Sequence, residues 1–136
     1  MDKSEWKKVE DALSGTYGSA DMKVDGFTIS FYRVLISKNR LGITTYINEW
    51  VRCEWLNMAN DVEGRFLRQV KRHVFSAKNR TGYKALIKIL GRKYDDIEKL
   101  YEYRTPIWWS VSSIRKYYEK TFKNIKLIKI NGEDCG

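Results

Sequence analysis

Trp6, Val9 and Leu13 recur at three- and four-residue intervals, which puts them on one face of a helix over residues 2–13. Asp2 followed by Glu5 has the spacing of a capping box, and Ser14-Gly15 stops the helix before a Gly/Ser-rich loop to Asp21. From Phe27 the period drops to two. Phe27, Ile29, Phe31 and Leu35 point one way, and Thr28, Ser30, Tyr32, Val34 and Ile36 the other, with Arg33 interrupting the apolar face. Lys38-Asn39-Arg40 is a turn, because Asn tolerates the left-handed backbone of hairpins. Leu41, Ile43, Thr45, Ile47, Val51, Cys53 and Trp55 then keep one parity, as one long strand or as two with a bend near Asn48-Glu49. A short strand from Met22 to Val24 precedes this pair and turns at Asp25-Gly26. The pattern predicts three or four antiparallel strands with one apolar and one mixed face.

Asn60 and Glu63 repeat the capping-box spacing and predict a helix of about 17 residues. Val62, Phe66, Val70 and Val74 fall at four-residue spacing and would pack on the sheet. Arg65, Arg68 and Arg72 share another face, with Lys71 and Lys78 close to it. After a break at residues 79–82, a further helix starts at Tyr83. It either ends near Leu90, capped by Gly91, or runs on to Tyr101 past Asp95, Asp96 and Glu98. Pro106 forbids a helix across Arg104-Thr105-Pro106, which is read as a loop. Ser110 caps the last helix, with Val111, Ile114, Tyr118 and Phe122 as its buried stripe. The run IKLIKI at residues 125–130 is a closing strand whose lysines suit a sheet edge, and Gly132 to Gly136 is a tail. The expected fold is α+β, one domain over residues 1–136. It is an antiparallel β-meander of three to four strands plus a C-terminal strand, with helices packed on one face.

Charge adds a second layer. The chain carries a formal net charge of +9, and the stretch from Arg65 to Lys93 holds ten basic residues with no Asp or Glu. A surplus gathered in one segment makes a local positive potential that attracts polyanions. Outer faces of helices are often charged, and Lys and Arg stems cover apolar surface. A merely solvated helix, however, mixes signs to gain i,i+4 pairs, and this one does not. Arg65, Arg68, Lys71, Arg72, Lys78, Arg80, Lys84 and Lys88 are therefore the expected phosphate contacts. Trp108 and Trp109 follow Pro106 among several tyrosines. One would anchor the loop to the core, and the other would stack on an unpaired base or meet a protein partner. The helices at Tyr83–Leu90 and Ser110–Lys120 are too far apart in sequence for a helix-turn-helix, so backbone or single-strand contacts rank above major-groove readout.

Candidate catalytic chemistry is sparse. His73 is the chain's single His and lies beside Arg72, in surroundings that disfavour its charged form. Cys53 and His73 would make a nucleophile–base pair only if Cys53 left its inward strand position, and no third group orients them. Asp95 and Glu98 could share a helix face and hold magnesium, but acids at a helix start also complement its dipole. Four nitrogen or sulfur ligands for zinc are lacking, and no glycine loop with a following Lys-Ser/Thr appears. The expectation is a non-enzymatic protein with no metal or other cofactor. No apolar run approaches a membrane span, the charged start MDKSEWKKVE lacks a secretory core, and two distant cysteines fit a reduced, cytoplasmic setting.

At DGFTIS, TYINEW, CEWL and PIWWSVSSIRKYY the chain resembles a set of short proteins encoded by bacteriophages and prophages. The resemblance covers most of residues 22–130. It implies a setting in a bacterial host cell and a host-directed or anti-defence role, and it carries over no functional residues. Two functions are therefore expected as alternatives. One is nucleic-acid binding (DNA or RNA) through backbone phosphates. The other is an anti-defence, anti-CRISPR-like inhibitor that docks on a host protein or nucleoprotein complex.

Overall fold

Asp2 starts the first helix as its sequence spacing requires: the carboxylate accepts from the Glu5 amide at 2.9 Å and from the Ser4 hydroxyl at 2.7 Å. In the computed structural model, which describes residues 1–52, 55–56, 62–73, 81–82 and 100–135, the elements follow in chain order. They are α1 (Lys3–Leu13), β1 (Ser19–Val24), β2 (Phe27–Ser37), β3 (Arg40–Ile47), a 3-10 turn (Gly64–Phe66), β4 (Arg68–His73), β5 (Leu100–Thr105), β6 (Ile107–Trp108), α2 (Val111–Thr121), β7 (Ile125–Ile130) and β8 (Glu133–Asp134). The class is α+β, as the alternation of periods predicts.

The chain gathers into two compact units, Met1–Arg68 with Arg104–Gly136, and Gln69–Tyr103. The first unit holds a six-stranded sheet in the order β6-β3-β2-β1-β7-β8, and each neighbouring pair is antiparallel. The register sets Met22 opposite Ile29 and Ile29 opposite Ile47, so these three buried side chains line one face. Trp6, Val9 and Leu13 of α1 and Ile114 and Tyr118 of α2 join them in a single hydrophobic core. Both helices thus cover one face of the sheet, and neither covers the other. The second unit holds most of the two-stranded β4–β5 sheet, whose Arg68, Arg104 and Thr105 belong to the first.

Two asparagines clamp the first unit's turns. Asn48 and Asn131 both adopt a positive φ, 48° and 51°. Asn48 accepts from the Thr28 amide through its side chain and donates its own amide to the Thr28 carbonyl. Asn131 does the same with Ser19. Asn enters this left-handed region more readily than most non-glycine residues, and here each side chain is held by an amide 20 or 112 positions away in the chain.

Several expectations are corrected. The predicted helix from Asn60 is a 3-10 turn followed by strand β4 over its described part. Positions 66, 70 and 74 satisfy a period of four and a period of two equally, so the stripe could not separate helix from strand. Val62, placed on that stripe, is 56% exposed. The segment read as an Arg104-Thr105 loop is the end of β5, and Arg104 is buried. Leu35, placed on the same apolar side as Ile29 and Phe31, is 64% exposed. Of the two readings of the third strand, the one with a bend near Asn48-Glu49 holds: β3 stops at Ile47, where both residues take a positive φ. The Gly132–Gly136 tail includes strand β8, folded back on β7 by an Asn131-Gly132 hairpin. The predicted helix from Tyr83 lies outside the described residues except at Leu100 and Tyr101, which belong to β5.

Candidate nucleic-acid interface

The basic stretch begins where the first unit's core ends. Phe66 and Leu67 are both fully buried, and Phe66 stacks on Phe122 with ring centroids 4.8 Å apart. Two adjacent tyrosines of α2 hold this turn by its backbone. Tyr117 donates its hydroxyl to the Arg65 carbonyl at 2.6 Å, and Tyr118 donates to the Phe66 carbonyl at 2.5 Å. Burial raises the pKa of both phenols. At Tyr117 the cations of Arg104 and Arg65 offset part of that rise.

The predicted phosphate contacts meet different fates. Arg65 lies over the rings of Phe66 and Phe122, 5.0 and 5.5 Å from their centroids, so its stem and guanidinium serve packing. Arg68 donates Nε to the Ile107 carbonyl at 2.9 Å and so holds the start of β6. Lys71 pairs with Glu102 at 3.1 Å, an exposed ion pair between the strands of the second unit. Arg72 is exposed, with no partner among the described residues. A helix would have set Arg65, Arg68 and Arg72 on one face. In a strand, Arg72 shares a side with Arg68 while Lys71 turns to the other. Lys78, Arg80, Lys84 and Lys88 lie outside the described residues, as do Cys53, Asp95 and Glu98.

The tryptophan pair divides between the last residue of β6 and the bend after it. Trp108 is 2% exposed and packs against Tyr117 and Tyr118, so it belongs to the core and offers no stacking surface. Trp109 is half-buried, and the Arg40 guanidinium lies 3.6 Å from its ring centroid. Gly42 makes room for this arrangement: a Cβ there would meet Ile36 Cγ1 at 2.7 Å and the Trp109 ring at 3.2 Å.

Two features escaped the sequence reading. Arg104 is almost wholly buried, and its guanidinium lies against Gly64. Nothing in its local sequence distinguishes it from a loop arginine. Tyr32 and Tyr46 stand on the sheet's open face with ring centroids 5.4 Å apart. Their strand parity was legible, but their pairing across β2 and β3 required the register.

Compared with known proteins, the chain matches no family model, no curated protein and no solved structure. Among the described residues no helix is long and apolar enough to cross a membrane.

Proposed function

We propose that this protein is a non-enzymatic nucleic-acid-binding protein that contacts backbone phosphates through its second unit, in the cytoplasm of a bacterial cell. The observation that carries this reading is the distribution of charge between the units. Gln69–Tyr103 holds nine Lys and Arg against four Asp and Glu, more than half of the chain's +9 in about a quarter of its length. Arg72 presents an exposed guanidinium on this unit, and Lys78, Arg80, Lys84 and Lys88 add to its charge. Arg65 and Arg68 are engaged by the first unit's own packing and contribute mainly through their field. Binding of this kind releases counterions and weakens steeply with salt. A mobility-shift titration from low to moderate salt tests it. A shifted band at low salt that fades as salt rises is expected, and no shift at low salt sinks the proposal.

A second reading is an anti-defence inhibitor that docks on a host protein or nucleoprotein complex. It is favoured by exposed apolar side chains on the first unit, above all Trp50, which is 65% exposed. Tryptophan is enriched among residues that dominate protein interfaces. Affinity purification from a bacterial host with and without nuclease separates the two readings. A partner retained after nuclease supports docking, and one lost with the nucleic acid supports direct binding.

A further inference from the structure

The face of the six-stranded sheet that the helices leave open has its own chemistry. Tyr32 on β2 and Tyr46 on β3 meet with ring planes at 80°, forming a corner. Tyr17, Arg33, Val34 and Glu49 complete an open hollow of about 530 Å³ around that corner. This volume is in the range of sites that take a nucleoside-sized ligand. Tyr32 keeps 40% of its surface in solvent although it lies mid-strand, and Tyr17 is almost fully exposed. The sheet register sets Lys23 opposite Lys126, and both are exposed on this same face. Arg40 and Trp109 stand toward its other end. Asp21 and Glu49 are the acids whose charge acts on Tyr32, and Lys23 and Lys126 stand four positions further along the strands.

Aromatic rings exposed on a sheet face that also carries two exposed lysines suit one occupant, a single-stranded nucleic acid. Its bases offer flat faces for stacking, and its phosphates meet the flanking lysines. A duplex keeps its bases stacked inside and would touch only the cations. We propose that this face seats unpaired bases of a single-stranded nucleic acid at the Tyr32–Tyr46 corner, with Lys23 and Lys126 along its phosphate path. One base lies flat on one ring and meets the other ring with its edge. Glu49 is an acceptor for the base's N–H groups. The proposal rests on the nucleic-acid reading above and names its substrate class, using a site separate from the basic second unit.

The test is fluorescence anisotropy with a labelled single strand of about ten nucleotides, a length within the usual site size, and with the duplex of the same sequence. The full chain should prefer the single strand. Tyr32→Ala combined with Tyr46→Ala should weaken single-strand binding about tenfold or more and leave duplex binding unchanged. The corresponding double Phe variant keeps the ring faces and should bind within about twofold of the parent. Photo-crosslinking of a halogenated-uridine strand to the unsubstituted protein should label peptides of β2 and β3, a readout independent of how the Ala variant folds. Crosslinks confined to residues 69–103, or an Ala variant that binds as the parent does, overturn the platform while leaving phosphate binding intact. Failure of every strand and duplex to bind at low salt overturns both readings.

Discussion

The Tyr118 hydroxyl donates to the backbone carbonyl of Phe66, 52 positions away in sequence, within the buried core. With the neighbouring bond from Tyr117 to the Arg65 carbonyl, it ties the last helix to the first turn of the basic stretch. A helix starting at Asn60 would have directed these carbonyls along its own axis. The turn instead hands them to side chains of α2, and the chain proceeds as a strand.

Tyr118→Phe removes the donor and leaves a buried carbonyl short of a partner. The expected cost is about 1–3 kcal/mol in urea unfolding. The ring stays, so the aromatic contacts with Phe31 and Phe122 should persist.

The same phenol makes stability fall in alkali. Burial holds its pKa well above the ordinary value, so the folded state keeps its proton after the unfolded state has lost it. The stabilisation is complete below about pH 10 and is lost progressively as pH rises toward the folded pKa. Unfolding titrations from pH 8 to 11 on the parent and on Tyr118→Phe should show a shallower alkaline decline in the variant. Equal slopes would exclude Tyr118 as the titrating group.

Acid acts at the other end of the chain. Hydrogen bonds from the Glu5 amide and the Ser4 hydroxyl hold the Asp2 carboxyl below its usual pKa. Its contribution is present above the unfolded carboxylate pKa and is lost as pH falls through the folded value. Asp2→Asn keeps an oxygen to cap α1 but cannot titrate. Thermal melts between pH 2.5 and 6 should therefore show a weaker acid dependence for Asp2→Asn than for the parent.

Glu102→Gln should strengthen nucleic-acid binding. It removes an acid from the second unit and frees Lys71 from its ion pair. Arg72→Ala should do the opposite and lower the slope of log K against log salt by about 0.9, the signature of one lost phosphate contact. Salt titrations of both variants check the pair. Unchanged affinity in both would remove β4 from the interface.

Trp108→Ala and Trp109→Ala should separate stability from binding. The first empties a buried site and should cost about 3–5 kcal/mol. The second deletes a half-buried ring capped by Arg40 and should cost much less. Gly42→Ala should also destabilise, by about 1–3 kcal/mol, because its methyl would press on Ile36 and Trp109. Chemical denaturation of the three variants orders them.

The capped helices α1 and α2, the strands with clean alternation, the turn at Asp25-Gly26 and the α+β class can all be read from local residue patterns. In each of these, a local signal and the hydrophobic period agree. Asp2 and Ser110 cap without help from distant residues, and Ile29 and Phe31 alternate with polar neighbours toward a helix-covered face. The fate of the basic stretch depends on distant neighbours. Val62, Phe66 and Val70 fit two periods at once, and what accompanies the strand is long-range: the tyrosines of α2 donate to the Arg65 and Phe66 carbonyls. The candidate site divides along the same line. The charge of residues 65–93 is a sum over side chains and could be counted from the sequence. Which of those charges are consumed by packing, and which tyrosines meet across β2 and β3, depends on neighbours that chain order does not reveal.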